Sequence, residues 1–402
     1  MKKRCAWLLS LLMCLTVSSC GLIPSSSTGG TNSDNHISGG IDSSSPSSEE
    51  EEEGENSSSG GDKDSSTSSN EGENSESTNS SSGENDGDKI APVNVYFPQL
   101  GNRTSGDCTL IKVGNVEVLI DAGSKKGSAS TVVPFVQQYC TDGVLEYVIV
   151  THMHEDHIAS FVGSASDYSD GVFKSFTCET IIDAPLTNAT SQIYNNYKTL
   201  RDAEVTQGAT HYTALECWNN QNGAKRSYTL GEGVELQILY QKYYETKSSS
   251  NENNYSVCTL VTQGENNYLF TGDLEESGEK SLVESNTLPK CKLFKAGHHG
   301  SKTSNTKTLI DVIQPETVVA TCCCGDSYGF PHQEFIDNIA VYTDKLYIPS
   351  YFGSSTFVNL NGNIMVTSLD GKTVSVFGSN NSTLFKDTDW FKQNRTLPSA
   401  WQ

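Results

Sequence analysis

Hydrophobic and polar positions divide this chain into three stretches of different character. The first twenty positions run from Met1-Lys2-Lys3-Arg4 into an apolar stretch, Ala6–Val17, and then Val17-Ser18-Ser19-Cys20. That order, charge before a short apolar run, predicts an export signal and not a permanent span. Positions 21–89 carry almost no apolar periodicity of any kind. From about Ile90 onward, short apolar strands alternate with loop punctuation and helical stretches. Cys108–Val113 and Val116–Asp121 flank Gly114-Asn115, a hairpin signal. A helix is predicted over Thr131–Tyr139, followed by a buried strand, Leu145–Val150. The series then returns: strands Cys258–Gln263 and Tyr268–Asp273 around a Gly-Glu-Asn-Asn turn, a helix over Glu275–Ser285, and a short strand Lys292–Lys295. Cys108-Thr-Leu-Ile with Leu119-Ile-Asp121 echoes Cys258-Thr-Leu-Val with Thr271-Gly-Asp273. The repeat predicts two similar half-sandwiches facing one another, each ending a strand in histidines. Strand-like pieces at Lys345–Ile348, Ile364–Ser368 and Thr373–Phe377, the last two around Asp370-Gly371, suggest an added β-subdomain. The aromatic end, Trp390-Phe391 to Trp401, is expected to pack back on the domain.

Composition adds a compartment to this outline. Val-Ser-Ser-Cys resembles a lipoprotein processing box, which makes Cys20 the expected site of lipidation and the mature N-terminus. Several acyl chains on one residue would anchor stably where a single chain would not. Residues 21–89 hold 16 acidic and 2 basic side chains, −14 of the chain's −22. So polar a segment cannot bury enough surface to offset its ordering entropy, and it reads as a disordered tether. As a flexible coil it would span about 45 Å, more with self-repulsion, enough to cross a wall or surface layer. Residues 90–402 form the folded domain and carry 33 acidic against 22 basic residues. The broad basic face of a nucleic-acid binder is therefore not expected. Nine of the 12 cysteines lie here, at 108, 140, 178, 217, 258, 291 and 322–324, with no CxxC pair to suggest a zinc finger.

The candidate chemistry sits directly after the strand Leu145–Val150. Residues 151–157 read Thr-His-Met-His-Glu-Asp-His, three of the chain's eight histidines in one turn. Imidazoles with carboxylates at a strand end are the donor set of a zinc site. His152 and His154 bracket one residue, so both rings can chelate one metal from an extended loop. Asp156 and His157 would open the following helix and serve a second.

These residues resemble those of the metallo-β-lactamase fold hydrolases. Asp121 in Leu-Ile-Asp-Ala-Gly is similar to the first motif, and His152, His154, Asp156 and His157 match H-x-H-x-D-H. Asp273 in Thr-Gly-Asp-Leu looks like the bridging aspartate, and His298 in Gly-His-His-Gly-Ser like the last histidine. The series running on to Tyr-Gly-x-Pro is similar to the extracellular hydrolase domain of ComEC-type DNA-uptake proteins and to surface phosphorylcholine esterases. No segment after residue 20 is long and apolar enough to span a bilayer.

The resemblance implies an α/β fold, a four-layer αββα sandwich, with one or two zinc ions. His152, His154, Asp156, His157, Asp273 and His298 are the expected ligands, and Asp121 orients the histidine loop from behind. Asp156 and His299 are the expected catalytic side chains, His299 as a transition-state stabiliser beside the open backbone of Gly300 and Ser301, the alternative being a packing neighbour of His298. Zinc suits so many imidazoles better than magnesium, with manganese as the second choice. His211 is the candidate for a histidine otherwise missing between His157 and Asp273, against a plain surface role. His332 either reaches the substrate or caps the helix near Glu334. The nucleophile is expected to be a metal-activated hydroxide acting on a phosphodiester.

A membrane-anchored extracellular phosphodiesterase or nuclease is thus the expected activity. Its substrate would be a cell-wall polymer or extracellular nucleic acid, the acidic domain and long tether favouring the polymer. The alternatives are a hydrolase of another ester, thioester or lactam, and a surface binding lipoprotein that keeps the fold without turnover.

Overall fold

The computed structural model describes residues 89–402 apart from 166–168, 248–249 and 354–356. The export signal, Cys20, His36 and the tether lie outside the described residues. Two large sheets stack face to face. The first has eight strands in the order Ser375–Gly378, Ile364–Ser368, Val93–Phe97, Cys108–Val113, Val116–Ala122, Val144–Val150, Thr177–Asp183 and Thr210–Thr213. The second has seven: Leu346–Tyr347, Thr317–Val319, Leu293–Lys295, Asn266–Phe270, Cys258–Gln263, Val234–Leu239 and Ser227–Gly231.

Alternation along the strands explains the stacking. Leu110, Leu119 and Val148 of the first sheet share one buried cluster with Leu236, Val261 and Tyr268 of the second. The second sheet turns its other face, including Leu269, Phe294 and Val318, to a separate cluster. There it meets Leu282, Leu309 and Ile336, from the helices Glu276–Ser285, Lys307–Ile313 and Gln333–Ala340. Helices Ala129–Gln137, Glu155–Val162 and Gln192–Gln207 contribute Val132, Ile158 and Tyr197 to the first cluster. Helices therefore cover both outer faces, and the fold is the αββα sandwich that the repeat and the resemblance imply.

The internal echo is structural. Cys108–Val113 pairs antiparallel with Val116–Ala122, which pairs parallel with Val144–Val150. Cys258–Gln263 pairs antiparallel with Asn266–Phe270, which pairs parallel with Leu293–Lys295. In both halves the parallel strand delivers histidines from its carboxyl end, where open α/β sheets present their ligand sites.

Two expectations need correcting, and the C-terminal pieces take specific places. The turn before Asp273 is the two residues Gly264-Glu265, so its strand runs Asn266–Phe270 and ends before Asp273. Gly272, at φ +54°, turns the chain there and frees the carboxylate from the ladder. The C-terminal pieces are divided among the sheets: Leu346–Tyr347 edges the second one, and Ser350–Phe352 and Phe357–Asn359 join Cys323–Cys324 in a small sheet of their own. Ile364–Ser368 pairs antiparallel with Val93–Phe97 and Ser375–Gly378 extends that edge, because an apolar alternating strand pairs with any open edge of matching register. The helix predicted over Thr131–Tyr139 begins and ends two residues earlier, at Ala129–Gln137, preceded by a 3₁₀ turn. The aromatic end does pack back, with Trp390 and Trp401 against the second cluster. All nine domain cysteines are buried free thiols.

One close approach fixes the histidine turn to the sheet. A Cβ on Gly123 would lie 2.4 Å from the carbonyl carbon and oxygen of Asp156. We expect Gly123→Ala to push the helix Glu155–Val162 outward and to destabilise the domain by about 1–3 kcal/mol, the usual range for overpacking. Urea denaturation of the two proteins checks this, and equal midpoints would refute it.

Candidate metal centre

The site lies where the two sets of strand ends meet. Val150 ends its strand, and Thr151 anchors the start of the histidine turn, donating from its backbone N and Oγ1 to the Asp121 carboxylate at 2.8 and 2.7 Å. Asp121 itself is buried at φ +57° and also meets His157 Nδ1 at 2.8 Å. It stands behind the loop, in contact with both Thr151 and His157. From the other side the buried Glu252 accepts the Met153 amide at 3.3 Å, Thr187 Oγ1 at 2.6 Å and the Asn188 amide at 2.6 Å. Held this way, His152 Nε2 and His154 Nδ1 converge to 3.0 Å, the arrangement two chelating imidazoles need. His152 is fully buried, and burial pushes its pKa well down, so its ring is held neutral, the form that binds metal.

The helix Glu155–Val162 then presents Asp156 and His157. His157 Nε2 lies 3.1 Å from Asp273 Oδ2. His299 Nε2 lies 3.5 Å from the same oxygen and 3.4 Å from Asp156 Oδ2. Donor atoms of Asp156, His157, Asp273 and His299 all fall within 4.8 Å of one another.

His298 and His299 sit in the turn Gly297–Gly300, both at positive φ, 48° and 56°. Such backbone persists only where its surroundings hold it. Asn305 does so, accepting from the Gly297 amide at 2.8 Å and donating to the carbonyls of Gly297 and Ser301 at 2.8 and 3.1 Å. Glu279 in turn accepts the amides of Asn305 and Thr306, and burial raises its carboxyl to about 7. The two rings of this turn are placed differently. His299 is buried in the cluster, whereas His298 is partly exposed, with Nε2 3.8 Å from Asp273 and Nδ1 3.2 Å from Thr303 Oγ1.

Three residues of this centre were not foreseen from the sequence. Asp107 is buried behind His299, its Oδ1 3.1 Å from His299 Nδ1, and it pairs with the buried Lys295 and the Thr321 hydroxyl. Glu252 is the third. The available signal was a lysine closing a wholly buried three-residue strand, since a buried ammonium requires an acidic partner.

The electrostatics fit a cation. Burial opposes charge on His157, yet Asp273 and Asp121 raise its pKa well above the usual range. His299 likewise is raised to about 10 by Asp273 and Asp107 against its burial. In return, the positive histidines hold Asp273 far below its ordinary value despite burial. The carboxylates thus draw positive charge into a dry cluster. His157 Nε2, Asp273 Oδ1 and His299 Nε2 are buried there with no hydrogen-bond partner. Orphaned donors and acceptors converging this closely are suited to divalent metal, which would displace the protons.

His211 and His332 lie apart from that cluster. His211 Nε2 meets the buried Asp183 at 2.9 Å, which also binds the guanidinium of Arg201 at 2.7 Å and Tyr197 Oη at 3.3 Å. His211 is thereby committed to an ion-pair network on the outer strands. His332 occupies the cap position of the helix Gln333–Ala340, but its Nδ1 accepts the Lys302 amide at 3.0 Å and no helix amide.

Comparisons agree with this geometry. The sequence pattern of the metallo-beta-lactamase superfamily matches residues 101–173, from the first hairpin through the histidine turn. The chain is 28% identical to Recombination protein 2 of Haemophilus influenzae over 242 residues, 59% of this chain and 25% of that one. It is 24% identical to Competence protein ComA of Neisseria gonorrhoeae over 255 residues, covering 63% and 30%. It is 32% identical to ComE operon protein 3 of Bacillus subtilis over 108 residues, covering 26% and 14%. The chain thus spans less than a third of each of these relatives. Among solved structures it is similar to the metallo-beta-lactamase fold protein YhfI from Bacillus subtilis, at TM-score 0.40 and 13% identity over 69% of this chain and all of that one. The described domain has the metallo-β-lactamase fold, its residues 101–173 match the metallo-beta-lactamase superfamily pattern, and it is similar to competence proteins.

Proposed function

We propose that the domain is a zinc-dependent phosphodiesterase, held at the outer face of the membrane by a lipid on Cys20 and the acidic tether. The observation that supports the chemistry is the convergence of Asp156, His157, Asp273 and His299 next to the His152–His154 pair, with three buried atoms unpartnered. Divalent metal held by these side chains would supply a Lewis acid for phosphoryl oxygens and acidify a bound water. Asp273 lies centrally enough to serve both ligand groups, and Asp121 and Asp107 fix the ring orientations of His157 and His299. His298, at the edge of the cluster with Thr303 and Glu275 beside its Nδ1, is in place to steady charge on a leaving oxygen. Nucleic acid is the substrate in this reading, with the wall polymer as the alternative. Among the described residues no helix is long and apolar enough to cross a membrane.

The test is metal analysis of the full chain together with turnover on bis(p-nitrophenyl) phosphate and single-stranded DNA. Bound zinc and phosphodiester cleavage are expected. Cleavage of a thioester or lactam with none of either phosphodiester would sink the substrate class. Ligand binding without any turnover would make the protein a binder.

A further inference from the structure

Beside the metal centre stands an exposed aromatic ring. Tyr328 is 63% exposed, and among the exposed large apolar side chains of the described residues it alone lines the cleft at the metal centre. That cleft, about 280 Å³, is also lined by Asp156, Asp273, His298 and Lys125. Tyr328 stacks on Phe330 at 5.5 Å and 14° between planes. Phe330 is itself buried against the rings of His298 and His299, at 5.6 and 5.7 Å. One face of Tyr328 is thus backed by the centre, and the other is open.

The backbone that carries the ring is also held in place. The Asp326 carboxylate accepts the amides of Tyr328 and Gly329, each at 3.0 Å, and the Ser105 hydroxyl. Arg395, from the aromatic tail, donates to the carbonyls of Pro331 and Gly329 at 2.8 and 2.7 Å. An exposed aromatic whose backbone is braced from both ends loses little entropy when a ligand covers it.

We infer that Tyr328, backed by Phe330, is a stacking platform for the nucleobase next to the scissile phosphodiester of a single-stranded nucleic acid. This rests on the phosphodiesterase reading and names its substrate. The acidic domain offers few cations for a backbone-tracking groove, Lys125 at the cleft being already paired with Glu155 at 2.8 Å. Affinity must then come from the metal centre and from base stacking, which tolerates any sequence because every base has a flat face. A polyol phosphate polymer has no ring to offer.

The test compares oligothymidylate with the same strand carrying abasic residues, and with poly(glycerol phosphate), using the full chain. The wild-type protein is expected to cleave the base-bearing strand on the order of tenfold more efficiently than the abasic one, mainly through KM. Tyr328→Leu should collapse that ratio towards one, and Tyr328→Trp should restore it. Binding of an uncleavable phosphorothioate oligothymidylate, read by fluorescence anisotropy, should weaken by a similar factor in Tyr328→Leu only. Equal ratios in wild type and Tyr328→Leu, unchanged binding, or preference for poly(glycerol phosphate) would overturn the assignment. Failure to cleave any phosphodiester while the anisotropy difference holds would instead overturn the hydrolytic reading.

Discussion

His299→Ala is expected to strip metal from the Asp156–His157–Asp273 cluster and to lower phosphodiester turnover by more than about a hundredfold, beyond the range for groups that merely orient a ligand. The ring is buried, its Nε2 is 3.5 Å from Asp273 and 3.4 Å from Asp156, and its Nδ1 is directed at Asp107. Removing it leaves those carboxylates facing one another with one cation fewer. His298→Ala should behave differently, retaining metal while turning over more slowly, because its Nε2 lies farther out and its ring is partly exposed. Metal content of the two purified variants decides between them, and His299→Gln controls for a folding defect. Equal metal in wild type and His299→Ala, or metal lost only from His298→Ala, would return the ligand role to His298. In the wild type, metal retention should weaken as the pH falls, because protons that the carboxylates hold on His157 and His299 compete for the same nitrogens.

How much the sequence could convey depends on how local each signal is. The histidine turn was legible because its chemistry is contiguous and comes directly after an unmistakable buried strand. The repeat was legible because a hairpin, a helix and a parallel strand recur with similar residues, and that recurrence placed the second histidine pair after an equivalent strand. The different burial of the His298 and His299 rings was not, since two adjacent residues at positive φ point their rings by backbone twist, which no spacing rule reports. Nor were Asp107 and Glu252, which act across 192 and 99 positions on His299 and Met153. The tail illustrates the same limit. Its aromatics announced that it packs, but nothing in them announced that Ile364–Ser368 would pair with Val93–Phe97 or that Arg395 would brace the loop of Tyr328.

That dependence on distant partners makes Lys295→Met the second large effect to expect, a loss of about 3–5 kcal/mol in unfolding free energy, as for other buried pairs broken on one side. Lys295 and Asp107 are both buried, one from each half of the sandwich, so their ion pair ties the two halves together directly behind the metal centre. Burial alone would raise the Asp107 carboxyl, yet Lys295, and then His299 and His157, hold it well below its usual value. Without the ammonium that negative charge is left to the histidines, and His299 is drawn towards Asp107 and away from Asp273. Replacing both partners, Asp107→Asn with Lys295→Met, removes the uncompensated charge and should cost less than Lys295→Met alone. Urea denaturation of the two single variants and the double variant provides the cycle. Additive losses, or a Lys295→Met cost under about 1 kcal/mol, would show that the pair contributes no more than a surface salt bridge.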